Sequence, residues 1–111
     1  MDDDVTTVGR LRALVSAFVA ERDWGRFHSA KNLSMSIAIE AAELMELFQW
    51  SDGEAVDDRQ LARVREELAD VVIYGLAMAN ALHIDLSRAV HDKVKANAGK
   101  YPADVYRGRY R

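Results

Sequence analysis

The sequence predicts an all-α domain built from four helices. Three observations lead there. Only one proline, Pro102, and six glycines punctuate the 111 residues, so long helices can run unbroken. Apolar residues recur at helical spacing in four stretches. No stretch sustains a period-two alternation of apolar and polar residues, so no sheet is expected. The reading is a four-helix bundle.

The first helix is expected from about Val8 to Arg22, with Leu11, Leu14, Val15, Phe18 and Val19 at helical spacing and Thr6 or Thr7 as its N-cap. A loop from Asp23 to His28 follows and carries two aromatics, Trp24 and Phe27. The second helix is expected from about Leu33 to Trp50, rich in strong helix formers such as Ala38, Ala41, Leu44 and Leu47. At about 1.5 Å per residue it would be ~27 Å long. Ser51-Asp52-Gly53 should stop it, and an acidic loop runs on to Asp58. The third helix is expected over about Arg59–Leu82, capped by Asp57 or Asp58. Its nearly continuous apolar content from Leu68 onward suits a central helix or one in a subunit interface. The fourth starts after Asp85 and runs to about Ala98, with Gly99 just past its end and Pro102 preventing continuation. One domain spans 1–111, with a core over about 8–102 and a basic tail over 103–111.

Composition narrows the function. Fifteen Lys and Arg against eighteen Asp and Glu give a net charge of −3, without the clustered basic surface that nucleic acid requires. The tail residues Arg107, Arg109 and Arg111 form the only basic stretch and read as solvated. With no cysteine, disulfides, thiolate zinc sites and a cysteine nucleophile are excluded. The start Met1-Asp2-Asp3-Asp4 is acidic, unlike a signal peptide, and no apolar run approaches ~18 residues, so the expected setting is cytoplasmic with no membrane partner.

The chemistry lies in the second and third helices. Glu40 and Glu43 form a Glu-x-x-Glu pair; Glu67 and Asp70 form a Glu-x-x-Asp pair. Residues three apart on a helix project about 60° apart, so each pair shares a face. Ile37, Leu44 and Leu47 flank the first pair, and Val64, Val71 and Tyr74 flank the second. These carboxylates therefore sit where the helices should pack. Antiparallel packing would bring four negative charges together, and either some keep their protons or a cation neutralises them. Arg63 can reach Glu67 at i,i+4, but no Lys or Arg lies between Leu33 and Trp50. An all-oxygen donor set selects a hard divalent ion, Mg²⁺ with Mn²⁺ as substitute. Glu46 and Glu66 lie just off the shared faces, as further ligands, a base or solvated side chains. A di-iron bundle would need Glu-x-x-His, and none of the three histidines (His28, His83, His91) follows a glutamate at that spacing. His91-Asp92 reads as an exposed pair on the fourth helix.

The block Glu40-Ala-Ala-Glu43-Leu-Met-Glu46-Leu-Phe-Gln-Trp50, followed by Glu66-Glu67-Leu-Ala-Asp70-Val-Val-Ile-Tyr74, resembles the MazG-like all-α nucleoside triphosphate pyrophosphohydrolases, and within them the dCTP pyrophosphatase branch. Here 23 residues separate Glu43 from Glu67, and Glu21-Arg22-Asp23-Trp24, Phe27-His28, Lys93, Asn97 and Tyr101-Pro102 extend the likeness over about 8–102. Val15 departs from it, since some relatives have a polar residue there.

The resemblance implies a Mg²⁺-dependent hydrolase that cuts a (deoxy)nucleoside triphosphate between the α- and β-phosphates. dCTP or a modified pyrimidine nucleotide is the expected substrate. It implies Glu40, Glu43, Glu67 and Asp70 as metal ligands and catalytic residues. Trp24, His28, Trp50 and Tyr74 are candidates for the base, as is Phe27, for which packing is the alternative, with Lys93, Asn97, Lys100 and Tyr101 as further substrate contacts. It also implies a homodimer or homotetramer with sites near subunit interfaces. The alternative from a different class is a non-catalytic helical module that dimerises through the third helix and leaves its carboxylates solvated.

Overall fold

The computed structural model describes residues 1–53 and 55–110. The order is α1 (Val8–Glu21), a 3-10 turn (Gly25–Phe27), α2 (Ala30–Glu46), α3 (Asp58–Leu82), α4 (Leu86–Lys100) and a short α5 (Ala103–Tyr106). No strand occurs among the described residues, so the all-α class is borne out.

Each long helix starts on a side-chain cap. Thr7, Ser29, Asp57 and Asp85 accept from the N–H groups of Arg10, Asn32, Gln60 and Arg88, satisfying donors that the first turn leaves free. Helix α2 differs most from expectation. It begins earlier than Leu33, because Ser29 supplies the cap. It ends at Glu46 instead of Trp50, because the chain tightens into i→i+3 bonds: Phe48 N–H donates to Met45 O at 3.0 Å and Gln49 N–H to Glu46 O at 3.2 Å. Gln60, from α3, fixes this end by donating to Leu47 O at 3.1 Å. Helix α4 runs through Gly99 to Lys100, so Gly99 is not its terminator and Pro102 is the effective stop. Glu54, in the expected acidic loop, and Arg111, in the expected tail, lie outside the described residues. The tail includes structure that its composition did not predict. Pro102 immediately precedes α5, and Tyr106 meets Tyr101 edge to face at 5.2 Å.

Helix α3 is central. It packs along α2 and, less extensively, against α1. Val15, Leu33, Leu76 and Ala77 form the buried cluster, with Leu11, Val19, Tyr74, Met78 and Leu86 packed around it. At the end of α3, His83 takes a left-handed conformation (φ 54°), and Ile84 N–H returns to Ala79 O at 2.9 Å. The chain then turns by 106° into α4. Consequently α4 joins the core through Leu86 alone, and Val90 and Val94 are exposed. The radius of gyration is 16.8 Å. A compact chain of this length would have about 13 Å. No single helix among the described residues is long and apolar enough to cross a membrane.

Candidate metal and nucleotide site

The α2–α3 packing carries the two acidic motifs into one cleft. Ile37, Leu44, Leu47, Val64, Val71 and Tyr74 are all half-buried, so the flanking apolar residues zip the two faces together as their spacing predicts. Glu40, Glu67 and Asp70, themselves half-buried, each offer an oxygen within 4.8 Å of the others. Glu43 is exposed and stands at the edge of the group.

The electrostatics follow from that crowding. Burial pushes the Glu40 carboxyl up to about 7, helped by a hydrogen bond with Glu43 and by the charges of Glu43, Asp70 and Glu67. Glu67 is also raised, by burial first, then by the charge of and a hydrogen bond with Glu43, and by Asp70 and Glu66. The ion pairs Arg22–Glu21, Arg26–Asp23 and His91–Asp92 lie elsewhere, and Arg63, although within i,i+4 reach, forms no ion pair with Glu67 among the described residues. The His91–Asp92 pair is exposed on α4, as expected.

One oxygen each of Glu40 and Glu67 is buried with no hydrogen-bond partner. Such atoms cost free energy unless something satisfies them. Clustered, partnerless, all-oxygen donors fit a hard divalent cation. Solvated carboxylates, which the interaction-module reading requires, would not be buried in this way.

Glu40 and Asp70 also line a cavity of about 230 Å³ with Val15, Phe18, Val19, Trp24, His28, Ile73, Tyr74 and Ala77. Three of the expected base contacts, Trp24, His28 and Tyr74, are therefore brought beside the carboxylates. Trp24 is held by an edge-to-face contact with Phe18 (5.6 Å) and by its N–H bond to Val19 O (3.1 Å). The Arg22 guanidinium lies over the Phe18 ring, 3.7 Å from its centroid.

The remaining expected contacts are elsewhere in the chain. Trp50 is 92% exposed. Lys93, Asn97 and Lys100 are exposed along α4, and Lys100 instead faces the Tyr101 ring at 5.3 Å. None of these residues, nor Tyr101, lines the carboxylate cavity. Its apolar walls, Phe18, Val19, Ile73 and Ala77, were not singled out from sequence as site residues. Ile73 lies three residues after Asp70, so helical spacing held the signal.

Residues 35–109 match the MazG-like family. The chain is 44% identical over 107 residues to dCTP pyrophosphatase 1 of Rattus norvegicus, which covers 92% of this chain and 63% of that protein. It is 42% identical over 110 residues to dCTP pyrophosphatase 1 of Homo sapiens, covering 95% of this chain and 65% of that one. The chain thus spans just under two thirds of the length of these curated relatives. A crystal structure of a pyrophosphatase from Archaeoglobus fulgidus is similar with a TM-score of 0.78 and 38% identity, covering 85% of this chain and 91% of that one. The acidic pairs, the helical architecture and these matches agree: the chain belongs to the MazG-like family.

Proposed function

We propose that the protein is a Mg²⁺-dependent nucleoside triphosphate pyrophosphohydrolase, cleaving the α–β bond of dCTP or a modified pyrimidine deoxynucleotide to the monophosphate and pyrophosphate. The observation that carries this is the juxtaposition of the Glu40–Glu67–Asp70 cluster with an aromatic-lined cavity. The names of the relatives, dCTP pyrophosphatase 1, support the choice of bond and base.

Glu40, Glu67 and Asp70 would hold the ion, with Glu43 at the edge as a fourth carboxylate. When bound, Mg²⁺ supplies positive charge for the phosphates and acidifies an attacking water. The protein's own part is positioning. The cluster presents anionic oxygens that reject a bare triphosphate, so only a metal-neutralised nucleotide can approach. Trp24 and Tyr74 offer flat faces to a base, and His28 offers a ring nitrogen to its edge. Val15 places an apolar side chain where a polar contact would otherwise read the base.

We further propose that the working form is a homodimer or homotetramer. The exposed Val90 and Val94, the extended shape and the exposed Trp50 support it. A second copy would then bring Trp50 and the α4 residues Lys93, Asn97 and Lys100, with Tyr101, to a neighbour's cavity. The proposed role is clearing surplus or modified nucleotides, and the proposed setting is the cytoplasm. The direct experiment measures pyrophosphate release from a panel of ordinary and modified nucleotides with and without Mg²⁺. Metal-dependent release of pyrophosphate and monophosphate is expected. Orthophosphate alone, or an untouched panel, would overturn the proposal.

A further inference from the structure

The site has two unequal halves. The carboxylates sit on α2 and α3, whose mutual packing is extensive. Much of the cavity's apolar and aromatic wall comes from α1 and the turn after it: Val15, Phe18, Val19, Trp24 and His28. Yet α1 buries only one residue, Val15. Apolar contact alone is a thin basis for seating this helix.

A polar clamp makes up the difference. Arg12 Nε donates to Asn80 Oδ1 at 2.9 Å, and Asn80 Nδ2 donates back to Arg12 O at 3.0 Å. The same guanidinium donates to Ala79 O at 3.0 Å and to Ile84 O. Its charge thus faces the carbonyl end of α3, where the helix dipole favours a cation. Along α1, Arg12, Val15 and Val19 fall at i, i+3 and i+7, on one face. Asn80 and Ser16 line a second cavity, which shares Val19, His28 and Ala77 with the site.

We infer that Arg12, through Asn80, is a positioning residue: it sets the α1 half of the substrate cavity against the carboxylate half. This rests on the nucleotide-hydrolase reading for its kinetic arm only. The clamp governs how well the nucleotide is held and leaves the metal cluster alone.

The test compares Arg12→Ala, Arg12→Lys and Asn80→Ala with Thr7→Ala, which weakens α1 at its cap without touching the clamp. Arg12→Ala is expected to raise KM about tenfold while kcat and Mn²⁺ affinity change by less than about twofold. Arg12→Lys, which keeps the charge and some donors, falls between. Asn80→Ala reproduces most of the effect, and the double alanine variant is no worse than Arg12→Ala. Thr7→Ala lowers the melting temperature and leaves KM alone. If Arg12→Ala does not fold, Arg12→Lys and Asn80→Ala carry the comparison. An unchanged KM in the clamp variants, an equal KM rise in Thr7→Ala, or a fall in kcat together with Mn²⁺ affinity overturns the inference. Hydrogen exchange supplies an arm that needs no nucleotide. The clamp variants should lose protection over residues 8–21 and keep it over 40–46 and 67–74; uniform loosening, or none, overturns the inference. Should the wild type hydrolyse nothing, the functional reading falls and the exchange arm alone decides the clamp.

Discussion

Replacing Glu40 by Gln should stabilise the metal-free protein at pH 8. Glu40 sits among Glu43, Glu67 and Asp70, with its carboxyl raised from 4.5 to about 7 by burial and by these neighbours. The sign follows from linkage. The folded state holds this proton more tightly than the unfolded chain, so the stabilising contribution is complete below about 4.5 and is lost as the pH climbs to about 7. A shielded group would lose about 1.4 kcal/mol per pH unit across that window. Solvent reaches the cleft at Glu43, which screens the cost to roughly 1–2 kcal/mol. Glu40→Gln removes the charge and keeps the shape. In EDTA at pH 8 its melting midpoint should lie about 4–8 °C above the wild type. At pH 4 the gap should nearly close, because the wild-type carboxyl is protonated in the folded state and mostly protonated in the unfolded one. Saturating Mg²⁺ should reverse the order: at a hundred times Kd the wild type gains about 2.7 kcal/mol, and a variant that has lost a ligand gains less. A variant that melts below the wild type in EDTA at pH 8, or a gap that persists at pH 4, would refute the account of the cluster as mutually repelling carboxylates.

Asp70→Asn and Glu67→Gln should each cut metal-dependent pyrophosphate release by at least about 100-fold with unchanged helical circular dichroism. Trp50→Ala should raise KM by roughly fivefold, the low end of a base–aromatic stack. Mixing Trp50→Ala subunits with inactive Asp70→Asn subunits should restore part of the wild-type KM and turnover, because a hybrid can hold one site with both residues intact; no recovery would place Trp50 outside a neighbour's site. Asp57→Ala removes the cap on Gln60 N–H and should cost about 1 kcal/mol in urea unfolding. His83→Gly relieves a left-handed side-chain-bearing residue and should stabilise by about 0.5–1 kcal/mol in the same titration.

The α2–α3 half of the site was legible because helical spacing is a local rule. Glu40 with Glu43, and Glu67 with Asp70, could each be placed on one face of their own helix from their separation alone, and their apolar flanks fixed which faces pack together. The caps at Asp57 and Asp85 were legible for the same reason. What misled was the end of α2. Strong helix formers run on past Glu46, and nothing local shows that Gln60 will reach back from another helix to Leu47 O and fix a tightened turn. Likewise Gly99 has the composition of a stop, but its backbone is not left-handed, so the helix runs on until Pro102.

The α4 residues are hard to read for a different reason. Spacing places Lys93 and Asn97 four apart on one helix, but nothing along the sequence gives the angle between that helix and α3. That angle is made by His83 in its left-handed turn and by Arg12 binding both Ala79 O and Ile84 O. With the resulting 106° bend, the basic side chains of α4 do not line their own chain's carboxylate cavity. The same corner that seats α1 on α3 therefore leaves the anionic cleft without α4 cations from its own chain. In the proposed assembly, a second copy would supply that charge. Breaking the Arg12 clamp should then disturb nucleotide holding twice, once through α1 and once through the direction of α4. The Arg12 variants proposed above should therefore also shift the assembly equilibrium, measured by sedimentation, whereas Thr7→Ala should not.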